Sequence, residues 1–92
     1  MKVTLAELEQ AAHSLGVKVT FEDLKTSKGG SCRILDTRRI IINKHLHVNE
    51  KISVLARELG RFELNGLPLA DHVRKKILRE SDHNAGSLKL TA

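Results

Sequence analysis

Apolar residues recur at helical spacing in three stretches of the chain and at alternate positions between the first two, and this change of period orders the elements. Leu5, Leu8, Ala12 and Leu15 step by three or four and line one face of a helix. Thr4 and Glu7 give that helix a T-x-x-E capping box, with Val3 and Leu8 at the staple positions around it. Gly16 supplies a left-handed stop. Val17, Val19 and Phe21 then alternate with Lys18, Thr20 and Glu22, the pattern of a half-buried strand. Lys25 to Gly30 is polar and ends in Gly29-Gly30, so it reads as a loop.

Two short β-rich runs follow, Cys32-Arg33-Ile34-Leu35 and Arg39-Ile40-Ile41-Ile42-Asn43. The connection Asp36-Thr37-Arg38 is short enough for an antiparallel hairpin. Ile40 and Ile42 face one side of the sheet and Ile41 the other, which suits a central or helix-covered strand. A second helix starts near His47 to Asn49, with Val48, Ile52, Leu55, Leu59 and Phe62 as its core stripe, and Asn65-Gly66 ends it. Pro68 opens a third helix through Glu80, with Leu69, Val73 and Ile77 inward. The sequence thus predicts a single α+β domain over residues 1–80, in the order α-β-β-β-α-α. Its three-stranded, mostly antiparallel sheet is packed by helices. Residues 81–92 are small and polar without periodicity and read as a flexible C-terminal tail.

Ninety-two residues allow one small domain, and 40% apolar with 29% charged residues is ordinary for a folded chain rather than a disordered one. Phe21 and Phe62 are the only aromatics, which disfavours base stacking on single strands. The net charge of +5 permits contact with polyanions or acidic proteins without selecting either. A single cysteine, Cys32, cannot form an intrachain disulfide and fits a reducing, cytoplasmic setting. No apolar run reaches membrane-spanning length, so no membrane partner is expected.

The chemistry concentrates in Leu55-Ala56-Arg57-Glu58-Leu59-Gly60-Arg61-Phe62. A zinc-protease helix carries H-E-x-x-H, in which two histidines at i and i+4 hold the metal and the glutamate acts as base on bound water. Here Glu58 is in place, but Arg57 and Arg61 occupy both ligand positions. Arginine keeps its proton and has no lone pair for a cation. Residues Arg39 to Asn65, an isoleucine strand ending in Asn43 and then Ala56, Glu58, Leu59, Gly60 and Phe62, resemble the ImmA/IrrE-type zincin metallopeptidases. That family has a strand ending in Asn followed by an A-H-E-L-G-H-F helix. The resemblance implies a degenerate, bacterial zincin-like scaffold with no catalytic residue, no metal and no cofactor, and a pseudoenzyme acting as an interaction or regulatory module for an unknown protein partner.

Arg57 and Arg61 lie off the core stripe near Glu50 and Val54, and like charges at i,i+4 repel unless neutralised. Three readings stand side by side: solvated surface arginines, a contact for an anion or acidic partner, or an ion-pair cluster with Glu58 or Asp71. His45 and His47, with Glu58 or His72, offer weak candidates for a relocated metal site and hence a metal-dependent peptidase. Cys32, beside Arg33, is either a reactive thiol or a small buried hydrophobe, the commoner role. Gly29-Gly30 lacks a P-loop lysine, so nucleotide cradling is unsupported. Arg74, Lys75, Lys76 and Arg79 form the densest basic patch, a candidate polyanion contact, and the resemblance to ImmA/IrrE-type proteins, which keep company with repressor-like regulators, implies the alternative of a basic DNA-associated accessory protein. Unprotected sheet edges, with Val54 and Leu78 left over on the helices, predict a homodimer.

Overall fold

The computed structural model describes residues 2–91, with side-chain surroundings for residues 2–81. The chain forms α1 (Leu5–Ser14), β1 (Val17–Glu22), β2 (Gly29–Ile34), β3 (Thr37–Asn43), α2 (Val48–Leu59) and α3 (Asp71–Thr91). This is the predicted α+β domain in the predicted order α-β-β-β-α-α.

The capping box of α1 is complete. Thr4 Oγ1 accepts from the Glu7 amide at 3.2 Å, and Glu7 Oε1 accepts from the Thr4 amide at 2.9 Å. Gly16 takes the left-handed φ of +73° that turns the chain directly into β1.

The sheet order is β1-β3-β2, so the triple-isoleucine strand is central, as its two apolar faces require. β2 runs antiparallel to β3, whereas β1 runs parallel to it, with Val17 opposite Arg38 and Phe21 opposite Ile42. The antiparallel character is therefore confined to one of the two pairings. Ile40 and Ile42 are fully buried beneath the helices. They join Leu8, Ala12, Val17, Leu55, Leu59, Val73 and Ile77 in one apolar cluster.

Several predicted boundaries move. Gly29-Gly30 begins β2 instead of ending a loop, because the backbone passes so close to Ile41 that a Cβ on Gly29 would press on its carbonyl oxygen. The hairpin turns at Leu35-Asp36, where Leu35 takes a φ of +56° and is almost wholly exposed. α2 stops at Leu59 rather than Asn65. The amides of Arg61 and Phe62 bond to Glu58 and Leu59 three residues back, tightening the last turn until the helix ends. Val48 is exposed and Phe62 lies beyond the helix, while Val54 is buried and so is no leftover apolar surface.

α3 starts at Asp71, not Pro68, because Ala70 accepts the first helical bonds from Val73 and Arg74. It also passes the expected stop at Glu80 and runs to Thr91, with no proline in 81–91 to break it. The side chains of 82–92, most of the expected tail, lie outside those described.

Gly60 brings α2 and α3 together. Its φ of −65° is open to any residue, but a Cβ there would overlap Ser81 Oγ and stand 2.9 Å from Ser81 Cβ. Close approach, not backbone freedom, fixes glycine at this position.

Candidate functional site

The residues of the A-x-E-L-G-x-F motif divide between core and surface. Ala56 and Leu59 are fully buried, and Glu58 is buried although charged. A buried carboxylate is costly unless paired, and its neighbours supply the pairing. Arg61 Nε lies 3.1 Å from Glu58 Oε1, and Arg57 Nε lies 3.7 Å from Glu58 Oε2. The Arg57 and Arg61 side chains remain 36% and 55% exposed, so water screens the outer side of both pairs.

Of the three readings of these arginines, the geometry gives the ion-pair cluster with Glu58. The other predicted counter-charges are turned elsewhere: Asp71 pairs with Lys75 at 3.1 Å and Glu50 with Lys28 at 3.6 Å. A cavity of about 180 Å³ flanks the cluster, lined by Lys28, Glu50, Arg57 and Glu80 together with Ser53 and Val54. Arg57 thus presents its outer side to a depression carrying both signs of charge.

The zinc that a zincin scaffold implies does not fit this donor set. Arg57 and Arg61 have no lone pair to give, and both oxygens of Glu58 already face guanidinium groups. The relocated site fails on placement. His45 pairs with Asp23 at 3.7 Å, His47 is the N-cap residue of α2, and His72 Nε2 lies 2.7 Å from Glu7 Oε2. Among the described residues no group of three His, Cys, Asp or Glu side chains could hold a metal ion.

The basic cluster of α3 is likewise divided. Arg74 Nη2 donates to the Leu67 carbonyl at 2.9 Å, Lys75 pairs with Asp71, and Lys76 pairs with Glu80 at 3.2 Å. Arg79 alone of the four has no described partner. Cys32 is exposed on the edge strand β2, which corrects its commoner role as a buried hydrophobe.

Asn43, which ends β3, has a role that the strand pattern did not disclose. It is buried, and its Nδ2 donates to the carbonyls of Lys25 and Ser27 at 3.0 and 2.8 Å while Oδ1 accepts from the His45 amide at 3.1 Å. The first two bonds tie the β1–β2 loop to the end of β3, and the third shapes the approach to α2, just ahead of the helix that carries the motif. The signal in the sequence was a polar residue closing an apolar strand.

Comparison with known families matches residues 12–86 to the IrrE N-terminal-like domain, a peptidase family by name. The chain belongs to that family. The match spans all three strands, α2 with Arg57, Glu58 and Arg61, and α3 as far as residue 86. This IrrE N-terminal-like domain therefore carries the family fold with arginine at both positions flanking Glu58. No curated protein and no solved structure matches the chain. No helix among the described residues is long and apolar enough to cross a membrane.

Proposed function

We propose that this IrrE N-terminal-like domain is a non-catalytic, cytoplasmic interaction or regulatory module, in which the helix of a metallopeptidase site has become a structural ion-pair cluster. The observation that carries the reading is Arg61 at 3.1 Å from the buried Glu58 carboxylate. A general base must have a free oxygen within reach of the water it activates, and both oxygens of this carboxylate face arginine. Arg57 and Arg61 stay partly open to solvent over the cluster, and Arg57 also lines a mixed-charge cavity, which suits an acidic segment of a protein partner better than a cleavable peptide.

Self-association accompanies this reading. β1 and β2 are both edge strands, and Ile34 on β2 is 48% exposed, so a second copy pairing along an edge would cover both the unpaired backbone and the apolar side chain. The alternative of a DNA-associated protein draws less support, since Arg74 and Lys75 are engaged within the fold.

The test is elemental analysis of the purified protein after incubation with zinc, together with peptide-cleavage assays across mixed substrates. About one tightly held transition metal per chain, or metal-dependent cleavage, would overturn the proposal.

A further inference from the structure

We propose that a second cavity, between the N-terminal segment, the first half of α2 and α3, binds a small molecule through its phosphoryl group. The cavity measures about 260 Å³, just below the roughly 300–1,000 Å³ of sites for drug-sized ligands, so it suits a small metabolite. Of the residues lining it, Ser53 alone also lines the cavity at Arg57, so it is separate from the Glu58 cluster.

Its lining is basic, and among the described residues it holds no acid. Lys2 comes from the N-terminal segment, while His72, Lys76 and Arg79 come from successive turns of one α3 face. Lys2, Lys76 and Arg79 bring fixed positive charges to one cavity, where they repel one another, and an anion placed among them relieves that repulsion. Two of the groups are held from behind by acids outside the lining. Glu7 holds His72 at 2.7 Å, and Glu80 holds Lys76 at 3.2 Å with both side chains only 23% exposed. Side chains already fixed lose little further freedom on binding. Lys2 and Arg79 have no acidic partner among the described residues and remain to meet the ligand.

The neutral groups agree with a many-oxygen anion. Asn49 and Ser53, one turn apart on α2, add an amide and a hydroxyl to the point charge of Lys76 and the fork of Arg79. Donors converging from several directions fit the oxygens of a phosphoryl group better than a planar carboxylate, which one arginine fork can satisfy. Val3 and Ile52, both nearly buried, form an apolar floor for the carbon part of a phosphorylated molecule. The α3 basic cluster thus divides by direction: Lys75 turns to Asp71, while Lys76 and Arg79 serve the cavity.

The experiment is amide NMR on the full chain titrated with inorganic phosphate, against potassium chloride at matched ionic strength. Saturable shifts at Asn49, Ser53 and Arg79 with phosphate, and none with chloride, are expected. Arg79→Gln should weaken binding about tenfold or more, the loss of a charge-assisted pair, and Lys75→Gln should leave it unchanged. Ser53→Asp, which sets a carboxylate in the cavity, should abolish it, with each variant's spectrum reporting its fold. O-phosphoserine binding more tightly than phosphate would mark an organic phosphomonoester as ligand, and equal binding would mark free phosphate. Absence of shifts with both would overturn the proposal. So would shifts that persist unchanged in Arg79→Gln and Ser53→Asp, or a response only to duplex oligonucleotide.

Discussion

Glu7 and His72 stand 65 positions apart in sequence and 2.7 Å apart in space, joining the first turn of α1 to the first turn of α3. Glu7 serves two partners at once, since Oε1 completes the capping box with Thr4 while Oε2 meets the imidazole. The Thr4 amide, and after it the His72 ring, hold the Glu7 carboxyl below its ordinary value of 4.5 against the opposing effect of desolvation. A carboxyl with a depressed folded pKa stabilises the fold above its unfolded value and loses that contribution as pH falls through the folded one. Urea midpoints should therefore decline as the solution is acidified below pH 4.5, and Glu7→Gln should flatten the decline. An unchanged pH profile in the variant would remove Glu7 from the account.

The Glu58 cluster predicts an order of effects. Arg61→Ala removes the 3.1 Å partner of a buried carboxylate and should cost on the order of 1–3 kcal/mol. Arg57→Ala removes a longer, screened contact and should cost less than about 1 kcal/mol. Glu58→Gln keeps the shape and removes the charge, so it should be tolerated better than Glu58→Ala. Chemical denaturation of the four variants measures this, and equal losses for Arg57 and Arg61 would contradict the geometry.

Restoring histidine at both motif positions should not restore a peptidase. The double variant Arg57→His, Arg61→His supplies two ligands and frees Glu58, but a catalytic zinc needs a third protein ligand and an open position for water. Zinc titration followed by calorimetry should show at most weak binding, with no cleavage of a peptide library. Metal-dependent turnover would show that a third ligand already faces the site.

Gly60 should resist substitution. Gly60→Ala drives a methyl group into Ser81 and should cost about 1–3 kcal/mol, the range for overpacking a tight contact. Ser81→Ala removes the hydroxyl oxygen nearest the new methyl and should recover part of the loss. Thermal melts of both single variants and the double variant give the coupling directly.

Sedimentation equilibrium at micromolar concentration addresses self-association. A dimer of the 10.3 kDa chain is expected, weakened by a lysine placed at Ile34 on the exposed edge. A single species at monomer mass would reject it.

Much of the fold was legible because its signals are local. Thr4 and Glu7 are three residues apart, and the alternation of Val17, Val19 and Phe21 lies within one strand. What escaped depends on residues distant in sequence. The parallel pairing of β1 with β3 arises because β2 folds back onto the far side of β3 and leaves the near side to β1. Gly29 reads as a loop residue until β3 is seen pressed against it. In the site, Arg57, Glu58 and Arg61 share one helix, so their pairing could be foreseen as one of three alternatives. The basic cavity draws on Lys2, Asn49 and Arg79, and no window of sequence contains all three.

The central position of β3 also sets the order in which the sheet can assemble. Ile34 and Thr37, at the mouth of the β2–β3 hairpin, are three positions apart, whereas each β1–β3 partner pair, such as Val17 and Arg38, is 21 apart. A hairpin closes in about 1–10 μs, and longer closures carry a larger entropic cost before any contact forms. β3 is therefore templated first by β2 and receives β1 afterwards, so the transition state should hold the hairpin formed and β1 still loose. Substitutions at Ile40 should slow folding, while those at Val19 should mainly hasten unfolding. The kinetic weakness of the domain then lies at its N-terminal strand, whose release would uncover a parallel edge of β3 and leave the hairpin paired.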